Sequence, residues 1–261
     1  MRVVAVYSIK GGVGKTATAV NLAYLSARAG ARTLIWDLDP QAASTFYFRV
    51  KPKIDDGGIR KWIRGDRPLD PLIRGTDFRA LDLLPADFSH RRLEVELAGL
   101  KKPRKRLRDK LLPLGGEYDH VYIDCAPGLS TVSEAAFVAA DVLLVPTIPT
   151  TLSIRALGQL VRYLGEDGPS ELSVLPFYSM VDLRKLLHRE ISGGAASDGT
   201  RFLDARIPYS SEVEKMGLRR APLAAYAPEC EAARAYEALW REVLGQTGSW
   251  LSLFRYDRFG F

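Results

Sequence analysis

Seven residues, Lys10–Thr16 in the order KGGVGKT, constrain this chain more than any other stretch. They follow directly on Arg2–Ser8, where Val3, Val4, Ala5, Val6 and Tyr7 are apolar or β-prone with no breaker among them. That is the pattern of a short buried strand. Gly11, Gly12 and Gly14 come next, within four positions. Without a Cβ in the way, successive backbone N–H groups can turn inward and approach a phosphate. Lys15 supplies a point charge for β- and γ-phosphates, and Thr16 supplies a hydroxyl for Mg2+. Thr16 also opens a helix, predicted over 16–29 and stopped by Gly30, with its positive N-terminal end toward the same anion. Val13 and Ala17 complete the candidate nucleotide contacts of the loop. The general phosphate-loop pattern asks for glycine where Ile9 stands; a second lysine, Lys10, leads the loop instead.

A second apolar run, Thr33–Trp36, ends in the acids of Asp37-Leu38-Asp39-Pro40-Gln41. Strand, loop, helix and strand in this order form a βαβ unit with parallel strands. Carboxylates at the C-terminal ends of such strands lie where open α/β sheets place ligands, although two acids there can also cap the helix that follows. His120–Asp124 is a third apolar strand ending in an acid. This is the Walker B pattern, in which the carboxylate of Asp124 holds Mg2+ directly or through water. Pro127 and Gly128 then turn the chain beside the γ-phosphate. Further strands are predicted at Ala80–Leu84, Val142–Val145, Leu172–Ser179 and Ala205–Tyr209. Helices are predicted at Ile59–Arg64, Ser89–Leu100, after Pro103, and at Ser153–Leu164, Ser210–Gly217 and Glu229–Leu244.

Composition fits this outline. The chain has 261 residues, 47% of them hydrophobic, enough for a large α/β core. Its formal net charge of +6 suits a polyanionic partner such as DNA or an acidic membrane. Cys125 and Cys230 show neither a disulfide framework nor a metal-binding spacing, so a reducing cytoplasm is the default location. Lys101–Lys110 holds seven basic residues against one acid, Asp109. Such a run either neutralises phosphates on a duplex or bilayer, or is a solvated helix face. From Ser249 the chain carries Trp250, Leu251, Leu253, Phe254, Tyr256, Phe259 and Phe261 beside Arg255 and Arg258. That tail can pack on the protein's own surface or across a dimer, enter a membrane surface, or dock a partner.

The glycine loop with its front lysine, the DLDPQ segment, YDHVYIDCAPG and the late IP strand end resemble the ParA/MinD family of ATPases with a deviant Walker A motif. The resemblance covers about residues 2–245. It implies a three-layer P-loop fold with a mostly parallel twisted sheet over residues 1–248, followed by an aromatic and basic tail, 249–261. No helix-turn-helix segment precedes the loop, as in the short form of the family. ATP and Mg2+ are the implied cofactors. Lys10 is implied to reach the nucleotide of a second protomer, Asp39 to orient the attacking water, and Asp37 to support the Mg2+ shell set by Thr16 and Asp124. Met180, Asp182 and Pro208 are implied near the base. Nonspecific DNA contacts are implied nearer the C-terminus, with Arg184, Lys185, Arg189, Lys215, Arg219 and Arg220 as candidates. A ParB-like or other adaptor is the implied activator of an ATP-dependent homodimer associated with the nucleoid. A MinD-like membrane ATPase using the tail, and an ATP-dependent ligase of related fold, are the alternatives. A ligase usually needs extra substrate residues, and none are identifiable. An iron–sulfur carrier is disfavoured because Cys230 lacks C-x-x-C spacing.

Overall fold

The computed structural model describes residues 1–51, 58–86, 88–194 and 201–246. The strands are β1 (Arg2–Val6), β2 (Thr33–Asp37), β3 (Arg74–Gly75), β4 (Leu81–Leu84), β5 (His120–Asp124), β6 (Val142–Thr147), β7 (Ser173–Val181) and β8 (Arg206–Pro208). They form one sheet in the order β3-β4-β2-β5-β1-β6-β7-β8. All pairs are parallel except β3 with β4. In chain order the helices begin with α1 (Lys15–Arg28), α2 (Ala43–Tyr47), α3 (Gly58–Arg64), α4 (Leu93–Ala98), α5 (Arg106–Leu111) and α6 (Thr131–Ala139). They continue with α7 (Thr151–Asp167), α8 (Leu186–Gly193), α9 (Ser211–Glu214), α10 (Met216–Arg219), α11 (Leu223–Tyr226) and α12 (Glu231–Gln246).

Alternation along the strands builds two cores. Val3 and Ala5 of β1, Leu34 and Trp36 of β2, and Val121 and Ile123 of β5 point to one face. There they meet Ile59 and Trp62 of α3, Leu97 of α4, Leu107 of α5 and Phe137 of α6. Trp36 and Trp62 pack edge to face at 5.3 Å, and Tyr7 meets Phe137 at 4.8 Å. Val4, Val6, Ile35 and Tyr122 point to the other face, against Val20 and Leu22 of α1 and Tyr236, Leu239 and Val243 of α12. Each such fully buried large apolar side chain contributes roughly 1.5–3 kcal/mol. Apolar residues on both faces produce the continuous runs that mark these strands in the sequence.

The fold corrects the sequence reading in detail. β1 ends at Val6, before Ser8, and α1 begins at Lys15. The helix predicted over 89–100 is a 3-10 turn at Phe88–Arg92 followed by α4. The helix predicted over 210–217 breaks at Lys215 into α9 and α10. Helices α6, α8 and α11 were not anticipated. The boundary at 248 and the tail 249–261 lie outside the described residues. No helix among the described residues is long and apolar enough to cross a membrane.

His120 opens β5 and is buried, with Nδ1 2.5 Å from the Ser26 hydroxyl. Burial pushes its imidazole down to about 4. An unfolded histidine titrates near ~6.5, so between these values only the unfolded chain takes up the proton. The stability that His120 contributes is complete above about pH 6.5 and is lost as pH falls toward about 4. Denaturant unfolding of the wild type and His120→Gln should show their difference shrinking by about 2 kcal/mol between pH 7.5 and 5. An unchanged difference would contradict this account.

Candidate functional site

The site forms where parallel strands end side by side. Register pairs Val6 of β1 with Asp124 of β5, and Asp37 of β2 with the same Asp124. Two carboxylates that are far apart in sequence therefore stand on adjacent strands at full burial. Burial pushes both upward in pKa, with repulsion from Asp124 adding to the rise at Asp37 and repulsion from Asp39 adding to that at Asp124, while hydrogen bonds from neighbouring residues oppose it. Ser44 of α2 donates to Asp124 Oδ2 at 2.7 Å. Thr45 gives its backbone N–H and its hydroxyl to Asp37 Oδ2, both at 2.8 Å. Asp37 Oδ1 accepts the Asp39 N–H at 3.2 Å. Both Asp37 oxygens are thus engaged by the protein, which places this carboxylate behind the cleft as a brace. Asp124 Oδ1 is buried with no hydrogen-bond partner. An unpartnered buried anion of this kind calls for a cation or a donor.

The glycine loop closes over this pair. Gly12 and Gly14 have φ of 71° and 92°, values that favour glycine. Gly11 and Gly12 border open space, with no atom within 4 Å of where a Cβ would stand. Gly14 caps α1 with no side-chain hydrogen bond, so the first N–H groups of the helix have no side-chain acceptor at the cap. Lys15 is 6% exposed, and its Nζ donates to the Lys10 carbonyl at 3.0 Å. Burial lowers its pKa while Asp124 and Asp39 oppose that fall. Lys10 is half-buried at the rim, with Nζ donating to the Ser153 hydroxyl at 3.3 Å. Ser153 belongs to the first turn of α7 and also accepts from Thr150 at 3.0 Å.

One cleft of about 340 Å³ runs from this loop to the ends of β7 and β8. Gly11, Gly12, Gly14, Lys15, Thr16, Ala17, Met180 and Pro208, read from the sequence as nucleotide contacts, line it, as does Asp39, read as orienting the attacking water. Two of the expected contacts do not. Val13 is 1% exposed and belongs to the interior. Asp182 lies outside the lining and accepts from Arg184 Nε at 2.8 Å and Nη2 at 3.0 Å. Tyr47 and Glu214 line the cleft without having been foreseen, and Ser179, Tyr209 and Ser210 line it beside Met180 and Pro208, at the strand ends expected near the base. Ser179 is 1% exposed and its hydroxyl has no partner. Cys125 is buried beside Asp124, and burial pushes its thiol up, which keeps it protonated and inert.

A phosphate chain with a divalent cation fits these residues. Among the described residues no group of three or more His, Cys, Asp or Glu could hold a metal by itself. Mg2+ is commonly bound by one or two carboxylates together with substrate phosphates, which matches a single free oxygen on Asp124 beside a glycine cradle. The six basic residues expected to contact DNA are not equivalent. Arg184 pairs with Asp182, and Lys215 pairs with Glu212 at 2.6 Å. Arg220 donates to the Phe46 carbonyl at 3.1 Å and lies 4.5 Å over its ring. Lys185, Arg189 and Arg219 are exposed.

A Cβ on Gly14 would stand 2.9 Å from Ser179 Oγ, on a backbone with φ of 92°. Gly14→Ala should therefore cost about 1–3 kcal/mol in denaturant unfolding. Adding Ser179→Ala should recover the steric part and leave the conformational part. Wild-type stability in Gly14→Ala would refute the strain.

The family model described as an AAA domain matches residues 1–167. The chromosome partitioning protein ParA of Myxococcus xanthus is 32% identical over 251 residues, covering 93% of this chain and 88% of the relative. The cobyrinic acid a,c-diamide synthase of Mycobacterium smegmatis, solved with a bound ATP analogue and magnesium, superposes with a TM-score of 0.79. It is 27% identical and covers 95% of this chain and 96% of its own. A putative plasmid partition protein from Borrelia burgdorferi, bound to AMPPNP, shares the fold with a TM-score of 0.82 at 19% identity, over 94% of this chain and 99% of its own. The likeness to partitioning proteins spans nearly the whole chain and includes the loop whose geometry is given above, and on that ground the protein belongs to the ParA/MinD family of P-loop ATPases.

Proposed function

We propose that the protein is a ParA-like positioning ATPase. It binds ATP with Mg2+ in the cleft, pairs face to face with a second copy around two nucleotides, and in that form binds DNA without sequence preference. A ParB-like or other adaptor accelerates hydrolysis, and the ADP form separates and leaves the DNA. The reading rests above all on a cleft lined by the open Gly11–Gly12 backbone and Lys15, with the unpartnered oxygen of Asp124 buried behind it within electrostatic reach of Lys15.

ATP with Mg2+ supplies the phosphoryl group whose transfer to water drives the cycle. The chain's own residues position groups and neutralise charge. Thr16 and Asp124 would hold the cation, with Asp37 bracing them from behind. Lys15 and the loop amides would neutralise phosphate oxygens. Asp39 lines the cleft and is only half-buried, with Oδ1 accepting the Gln41 N–H at 2.9 Å, so a water can reach the carboxylate that would orient it. Met180 and Pro208 would flank the base. Lys10 would leave Ser153 for the nucleotide of the facing copy. Losing the γ-phosphate would remove contacts across the dimer and weaken it.

A second reading, an ATP-dependent amide-forming ligase, is favoured by the 27% identity to the diamide synthase. ATP turnover that depends on a small carboxylic acid and yields its amide would replace the first reading.

Two outcomes check the leading reading. In light scattering with ATP, Lys10→Ala should retain nucleotide and remain monomeric; dimers equal to wild type would remove the cross-dimer role. In gel shifts with a random-sequence duplex, binding should need ATP, fail with ADP or without nucleotide, and weaken steeply as salt rises. Binding indifferent to nucleotide would overturn the switch.

A further inference from the structure

We infer that the surface built by the 3-10 turn before α4 and by the segment through α5 is the main seat of DNA phosphates on this protein. The inference rests on the DNA-binding reading above. It assigns that binding to Arg92, Lys101, Lys102, Lys105 and Arg108, not to the C-terminal candidates.

The charge of the chain is concentrated here. Lys101–Lys110 alone accounts for the whole formal excess of +6, and the remaining residues balance. Folding sharpens this asymmetry. The acids of α4 turn into the protein: Glu94 accepts the backbone N–H groups of Thr131 and Val132 at 2.8 and 3.1 Å, at the N-terminus of α6. Glu96 pairs with Arg60 and Arg64 of α3. Two basic residues of the run are tethers. Arg104 bonds Glu134 at 3.0 Å and Asp167 at 2.8 Å, and Arg106 donates to the carbonyls of Ile63 and Arg64. Leu107 and Leu111 anchor α5 in the core.

What remains on the outside is cationic. Arg92, Lys101, Lys102, Lys105 and Arg108 are exposed, and none has an ion-pair partner among the described residues. Lys105 and Arg108 are three residues apart on the helical segment that begins at Pro103, and Lys101 and Lys102 lead into its first turn. Residues so spaced share one side of a helix. Asp109 is the one exposed acid within the run. By contrast, three of the six C-terminal candidates are already occupied by Asp182, Glu212 or Phe46.

Physically, unpaired like charges concentrated in one short stretch of an anchored scaffold repel one another. A polyanion relieves that repulsion and releases its own counterions. Tethering by Arg104 and Arg106 keeps the cations presented, so little ordering entropy is lost when phosphates arrive.

The test compares two variants of the full chain. The first is Lys101→Ala/Lys102→Ala/Lys105→Ala/Arg108→Ala, and the second is Lys185→Ala/Arg189→Ala/Arg219→Ala. Each is titrated with a random-sequence duplex in ATP over a salt series. Binding of a fluorescent ATP analogue serves as the check on folding. The first variant should bind the analogue as wild type does. It should bind DNA at least about tenfold more weakly at 0.1 M salt, with a logarithmic salt slope shallower by about 2–4. The second variant should lose less. Replacing Lys101, Lys102 and Lys105 with arginine should preserve DNA binding. Wild-type DNA affinity in the first variant, with loss in the second, overturns the inference and leaves the functional reading intact. Failure of the wild type to bind DNA in ATP overturns both. Binding to phosphatidylglycerol vesicles in place of DNA also overturns the assignment to DNA.

Discussion

The structure depends on the pairing of Asp37 with Asp124 across the β2–β5 ladder. Two carboxylates buried side by side are costly, and the protein accepts that cost at one place only after surrounding them with donors. Thr45, Ser44 and the Asp39 amide engage three of the four oxygens, and the fourth, Asp124 Oδ1, has no partner. The short helix α2 exists at this spot because Ser44 and Thr45 have to face the strand ends. Its entry through Ala42 at a φ of 54° is the local expense of that requirement. The Thr45 hydroxyl also accepts the Ala86 N–H at 3.0 Å, which fastens the end of β4 to the same network.

Legibility in the sequence followed the range of each signal. The central strands were readable because both faces are buried, which leaves apolar runs with no polar interruption. The loop was readable because its glycines, lysine and threonine act through local backbone geometry. Helix α6 escaped notice even though Ser130 and Ser133 cap it reciprocally, since serine at both positions lacks the usual acidic signature. Helix α8 was hidden because its buried positions are His188 and Ser192 while Leu186 and Leu187 are exposed, which removes the usual apolar period. The far wall of the cleft was legible only at the strand ends, Met180 and Pro208. Tyr47 and Glu214 come from separate segments that only the tertiary fold brings together. Motif membership says which backbone is near a ligand and nothing of where each side chain turns: Val13 turns inward and Asp182 pairs with Arg184.

Surface charge shows the same division. Counting basic residues located the run at 101–110 but could not distinguish tethers from free cations. Arg104 and Lys105 are neighbours in sequence, yet the first is bound to two acids and the second is exposed. Segregation of acids inward and lysines outward is a property of the folded α3–α6 layer.

Both margins of the sheet are short. β3 spans two residues and runs against its neighbour, and β8 spans three. Long flat margins invite another chain to extend the hydrogen-bond ladder, and stubby ones do not. Among the described residues, therefore, neither margin of the sheet offers a long backbone template for another chain to extend.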